Sequence, residues 1–183
     1  MDIEVPVKPL GEVDSSALRD CILAQEREAW LEDLGRQQTY EVHRDTESIV
    51  MLFCEESWPD GEIYRESGWD RLADVALPVI DNIIETHYAP GGTLLRAMAA
   101  KLKAGGRIRP HRDSLQSFHM GHRIHVPITT NPGVRFTIEG RPYDFEVGMA
   151  YELNNQLKHS VMNIGADDRI SFIFDYVPPQ EGD

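Results

Sequence analysis

Residues His159–Tyr176 read HSVMNIGADDRISFIFDY, and the last eight of them settle the fold class. In an extended chain successive side chains point to opposite faces, so Ile170, Phe172, Phe174 and Tyr176 share one face and Arg169, Ser171, Ile173 and Asp175 the other. His122–Thr129, HRIHVPIT, repeats the pattern: Arg123 and His125 point one way and Ile124, Val126 and Ile128 the other. Turn signals at Gly105-Gly106, Asn131-Pro132-Gly133, Glu139-Gly140, Asn154-Asn155 and Gly165 divide the chain after Gly92 into many short strands, the pattern of a sandwich or barrel.

Upstream, the reading is richer in helix. Leu18, Ile22, Ala29 and Leu34 predict an amphipathic helix over Asp14–Leu34, with Asp14 and Ser15 as caps. A strand is predicted at Thr46–Phe53, and a second helix at Trp69–His87, interrupted near Pro78 and closed by Ala89-Pro90-Gly91-Gly92. With no internal repeat, linker or low-complexity tract, the expectation is one domain over 1–183. It is mostly β with flanking helices: a helix-rich part, 1–91, packs on a β core at 92–177.

The composition agrees with a globular protein. The chain has 183 residues, 41% hydrophobic and 27% charged, which excludes fibrous and disordered classes. It contains no apolar run long enough for a membrane helix and no apolar stretch behind Met1–Leu10, so a cytoplasmic location is expected. Cys21 and Cys54 are read as free thiols. The net charge of −13 argues against nucleic-acid and membrane partners. Within Arg96–Arg141, however, nine basic residues face two acidic ones, a +7 island that suits either a small-anion site or a plain solvated basic face.

The chemistry concentrates in that island. His111-Arg112-Asp113 can aim an imidazole and a carboxylate at one point, and His159 lies 46 residues beyond Asp113, far enough for intervening strands to bring it back. Two histidines and one carboxylate form a face that holds non-haem Fe(II) and leaves positions open. His43-Arg44-Asp45 repeats the tripeptide, with His87 as its third member, but its intervening region reads as loop and helix, so the later set is preferred. Arg169 and Ser171, on one face of the same strand, suit a carboxylate through charge-assisted hydrogen bonds, the alternative being an ion pair of Arg169 with Asp167, Asp168 or Asp175. His125 joins Arg123 on a cavity-facing side or serves as a structural histidine, and His119 and His122 are expected at the surface.

Four blocks occur in order: Lys101-x-x-x-Gly105-Gly106-x-Ile108-x-Pro110-His111-x-Asp113, then His122-Arg123-Ile124-His125-Val126-Pro127, then Asn154-Asn155 ahead of His159-Ser160-Val161-x-Asn163, then Asp168-Arg169-Ile170-Ser171-Phe172-Ile173-x-Asp175. Together, over roughly residues 92–177, they resemble the aspartyl/asparaginyl β-hydroxylase family of Fe(II)/2-oxoglutarate dioxygenases. The resemblance implies a double-stranded β-helix (jelly-roll, cupin-like) core, with His111, Asp113 and His159 as metal ligands. It implies Fe(II), 2-oxoglutarate and O2 as cofactors, with Arg169 on the far carboxylate of 2-oxoglutarate and with Arg123 and His125 near the co-substrate or the substrate carboxylate; Ser171 joins the co-substrate residues by sharing the face of Arg169.

The activity implied is hydroxylation of an unactivated C–H of an amino acid or an Asp/Asn-like residue in a peptide, releasing succinate and CO2. Desaturation, epimerisation or cyclisation by the same oxidant is one alternative, and a non-catalytic cupin-like module binding a small anion is another. The animal enzyme that names the family lacks the carboxylate ligand, whereas this chain has Asp113, as in the three-ligand members, and Asp113 argues against halogenation. The surplus of arginines, Arg107, Arg109, Arg112, Arg123 and Arg135, with Arg107, Arg109 and Arg123 foremost, suggests a substrate bearing a carboxylate. Oligomeric state is not legible in the sequence.

Overall fold

A computed structural model describes residues 3–32 and 44–179. Its strands are β1 (Val7–Glu12), β2 (Thr46–Cys54), β3 (Ile63–Arg65), β4 (Thr93–Leu102), β5 (Arg107–His111), β6 (His122–Thr129), β7 (Val134–Ile138), β8 (Arg141–Tyr143), β9 (Met149–Leu153), β10 (His159–Asn163) and β11 (Arg169–Val177). The helices are α1 (Ser16–Leu23), α2 (Gly68–His87) and the short α3 (Gln116–Met120), with a 3-10 turn at Arg27–Trp30.

All strand pairs are antiparallel. They form a seven-stranded sheet, β1-β9-β6-β11-β4-β2-β3, and a four-stranded sheet, β5-β10-β7-β8. This is the jelly roll with flanking helices expected from the sequence. The alternation in β11 decides what each face of the large sheet meets. Phe172 and Phe174, both fully buried, join Val126, Ala97 and Ile49 under α1 and α2, which contribute Leu18, Ile22, Leu72, Ala76 and Ile80. Burying one such side chain contributes about 1.5–3 kcal/mol. The opposite face looks into the space between the sheets, where Leu102, Phe136, Ile138, Tyr151, Leu153 and Val161 pack together.

The first 91 residues carry α1 and α2 and also three strands of the large sheet, of which the sequence reading expected only β2. Pro9 and Gly11 bracket a register shift in β1, which hides its strand period from the sequence. The first helix is also shorter than Asp14–Leu34. Gln25 Nε2 donates to the Cys21 carbonyl at 3.1 Å, taking the acceptor that a continuing helix would give its own N–H, and that N–H turns to Ile22 O. Ser15 occupies the N-cap without a side-chain cap bond, and Asp14, just before it, accepts from the Ser16 N–H at 3.1 Å. Pro78 does not interrupt α2, because it and Asp74, whose carbonyl loses its donor, both lie on the exposed face. Cys21 and Cys54 are free thiols, as expected. Among the described residues no helix is long and apolar enough to cross a membrane.

Candidate active site

Register brings the distant histidines together. His159 at the start of β10 pairs directly with His111 at the end of β5, and their ring centroids lie 4.3 Å apart. Asp113, just past β5, is fixed by its N–H donating to Asn155 O at 3.2 Å. One ligand atom from each of His111, Asp113 and His159 lies within 4.8 Å of the other two, and among the described residues no other set of three could hold a metal. Of the competing set, His43 lies outside the described residues, and Asp45 accepts from the Arg107 N–H at 3.1 Å.

Both histidines are oriented for ligation. Nδ1 of His111 lies 2.8 Å from Arg109 O and Nδ1 of His159 lies 2.9 Å from Leu157 O, so each Nδ1–H donates to a backbone carbonyl and each Nε2 keeps its lone pair. Burial lowers the pKa of His159, against the pull of the Asp113 carboxylate, and favours the neutral ring a metal needs.

His111 and His159 line a cavity of about 60 Å³ between the sheets, with Arg123, His125, Phe136 and Arg169 among its walls. Arg169 is 5% exposed and, among the described residues, its guanidinium has no ion pair or hydrogen bond. Burial alone pushes it down to about 10. Two of the three alternative partners are occupied elsewhere, Asp168 by the Ala104 N–H and Asp175 by Arg96 and Arg123. On the same side of the large sheet, Ser171 Oγ and His125 Nδ1 are buried without partners. A cation and an unpartnered imidazole nitrogen on residues of the cavity wall, with the unpartnered Ser171 hydroxyl on the same sheet face, fit an anionic ligand beside the metal. A wider hollow of about 460 Å³ shares Phe136 and Arg169 as walls and adds Asn131, Arg135, Tyr143 and Phe145.

His125 is neutral for the same reason Arg169 is strained: burial, reinforced by the charges of Arg169, Arg123 and His159, holds it well below 6.5. The unfolded chain takes up this proton as pH falls through about 6.5 while the folded protein does not, so stability is full above that value and declines below it. One such group contributes up to about 1.4 kcal/mol per pH unit. Urea unfolding between about pH 7.5 and 5.5 is expected to show a shallower decline for His125→Gln than for wild type.

Other expected site residues are placed differently. Arg107 and Arg109 face outward, because a bulge at Arg109-Pro110 separates Ile108 from His111 and lets both of those face the cavity. The two arginines line a small surface hollow with Arg44 and Asp45 instead. Arg112 donates to Glu139 at 3.2 Å, and Arg135 to its own neighbouring carbonyls of Pro132 and Val134. Of the arginine surplus, Arg123 lines the metal cavity and Arg135 the wider hollow, while Arg107, Arg109 and Arg112 line neither. His119 is exposed, but His122 is not a surface residue: its Nδ1 contacts the buried Glu152, whose other oxygen accepts from Tyr88 OH at 3.0 Å.

Arg123 faces the cavity as its parity requires, yet its donors are already engaged. NH1 donates to Asp113 Oδ2 at 2.6 Å, while Nε and NH2 grip both oxygens of Asp175 at 2.8 Å. Arg96 NH1 reaches Asp175 at 3.3 Å and its NH2 donates to Ser117 Oγ at 2.8 Å. The Phe118 ring covers both guanidinium groups, at 4.3 Å from Arg96 and 4.5 Å from Arg123. Sequence reasoning assigned no function to Arg96, Ser117 or Phe118. The available signal was a charge at Arg96 inside the apolar run LLRAMAA.

Comparison with known proteins agrees with this geometry. Residues 22–179 match the aspartyl/asparaginyl beta-hydroxylase family. No curated protein matches in sequence. Among solved structures, an oxidoreductase of the 2OG-Fe(II) oxygenase family from Burkholderia pseudomallei is 11% identical with a TM-score of 0.57, covering 74% of this chain and 69% of its own. The non-heme monooxygenase ThoJ in its nickel complex is 13% identical with a TM-score of 0.59, covering 96% and 74%. The viral collagen prolyl hydroxylase of Paramecium bursaria Chlorella virus-1, in a 2OG complex, is 10% identical with a TM-score of 0.55, covering 97% and 98%. At such identities the likeness is one of fold. With the match spanning nearly the whole chain and the His-Asp-His cluster in place, the protein belongs to the aspartyl/asparaginyl β-hydroxylase family and is an Fe(II)/2-oxoglutarate-dependent oxygenase.

Proposed function

We propose that this oxygenase hydroxylates an unactivated C–H of an amino acid, free or as an Asp/Asn-like residue in a peptide. The observation that carries the reading is Arg169, a buried and unpaired guanidinium in the wall of the cavity that holds the metal triad. His111, Asp113 and His159 would hold the iron. Arg169 would take the far carboxylate of 2-oxoglutarate, with Ser171 and His125 as the nearby hydrogen-bonding groups. When bound, iron and 2-oxoglutarate reduce dioxygen together, converting 2-oxoglutarate to succinate and CO2 and supplying the oxidant that turns C–H into C–OH. The chain's own part is to orient both ligands and exclude water, which Phe136, Leu153, Val161 and Ile173 do from the cavity walls.

The test is incubation with Fe(II), 2-oxoglutarate and air over a panel of amino acids and short peptides, reading succinate release together with product mass. Succinate formation coupled to a product heavier by one oxygen supports hydroxylation. A product lighter by two hydrogens would replace that reading with desaturation or ring closure, and no succinate with any substrate would favour an anion-binding module.

A further inference from the structure

Asp113 needs only one oxygen for a metal, and the structure shows where the other goes. Its Oδ2 is held at 2.6 Å by Arg123 NH1, leaving Oδ1 turned toward the imidazoles, 3.7 Å from His111 Nε2. Behind Arg123 the charges alternate, Asp175 then Arg96, and the chain ends on the hydroxyl of Ser117. Arg96 and Asp175 are each 2% exposed, and the two acids and two arginines cancel in charge.

We propose that Arg123, Asp175 and Arg96 form a positioning relay that locks Asp113 into presenting a single oxygen to the metal. Arg123 thereby serves the metal centre and not the co-substrate carboxylate. The geometry explains why three charged side chains that do not meet the metal lie in an otherwise apolar interior. An unheld carboxylate can rotate to chelate a cation with both oxygens, occupying a position the open face requires. Arg123, gripping Asp175 with Nε and NH2 and Asp113 with NH1, blocks that rotation. Arg96 and the Phe118 ring in turn hold Asp175 and Arg123 in place. A lysine at 123 offers one point charge where the guanidinium spans two carboxylates, so it should replace Arg123 only in part.

The proposal rests on the metal reading, and the experiment separates the two. Binding of Co(II) alone to the apoprotein is measured for wild type, Asp113→Ala, Arg123→Met, Arg123→Lys and Asp175→Asn, with apoprotein melting temperatures recorded in parallel. Arg123→Met is expected to weaken Co(II) about 10–100-fold and Arg123→Lys by less, the range found for outer partners of metal ligands. In the Asp113→Ala background the same Arg123→Met change should alter affinity less than about twofold, because its effect passes through Asp113. A purely structural role would lower the melting temperature and leave Co(II) affinity unchanged in every folded variant, which would overturn the relay. If Arg123→Met does not fold, Asp175→Asn preserves shape and one acceptor and carries the same expectation. Wild type failing to bind Co(II), or Asp113→Ala binding as tightly as wild type, would overturn the metal reading and the relay with it.

Discussion

An Arg169→Met enzyme should keep its metal and lose its hold on 2-oxoglutarate. Its KM for the co-substrate is expected to rise about 10²–10³-fold, since removing one partner of a buried charge pair costs roughly 2–5 kcal/mol. The size of the effect follows from the setting. The guanidinium is already desolvated, with burial the sole cause of its fall to about 10, so an incoming carboxylate meets an unsatisfied cation in apolar surroundings. Folding should not suffer, because among the described residues Arg169 gives up no ion pair or hydrogen bond, and methionine removes a buried charge. Arg169→Lys should fall between the two, supplying charge without the planar fork. Measured by succinate release against 2-oxoglutarate concentration, with Co(II) affinity as control, an unchanged KM would mean that the far carboxylate is held elsewhere.

Removing a metal ligand should be as severe and should fail at an earlier step. For His159→Ala, Fe(II) affinity is expected to drop about 10²–10³-fold, taking the 10–16 kcal/mol of a four-ligand site as roughly 2.5–4 kcal/mol per ligand. His159 Nδ1 is committed to Leu157 O, so the ring serves the centre through Nε2 alone and no second contact would mask the loss. The weak visible band of the Fe(II)–2-oxoglutarate complex, recorded without oxygen, is expected in wild type and absent from His159→Ala. His43→Ala, from the set read as a decoy, should retain it. A band that vanished with His43→Ala and survived His159→Ala would overturn the triad.

The strands after Gly92 and the meeting of His111, Asp113 and His159 were legible because both depend on local parity and on motif spacing. β11 kept strict alternation across nine residues, so both of its faces could be read from sequence. β5 did not. One extra residue at Arg109-Pro110 reverses the parity, and Arg107 and Arg109, read as substrate residues from the arginine surplus, lie outside the cavity. The commitment of Arg123 was hidden for another reason. Its face was correctly read, but a sequence does not show that Asp113 and Asp175, 10 and 52 positions away, both converge on its one guanidinium. β1 escaped notice because its partner β9 lies some 140 residues downstream and its own period is broken at Pro9 and Gly11.

The chain of alternating charges from Asp113 to Arg96 also constrains how this protein can vary over time. Each link neutralises its neighbours in a water-poor interior, so changing one alone leaves another bare, at a cost of about 3–5 kcal/mol against a typical total stability of 5–15. Substitution by single steps is therefore closed at these positions, while a joint change that removes an acid and a base together is open. Drift at positions 96, 123 and 175 should be epistatic, with each residue tolerated only in the company of the others.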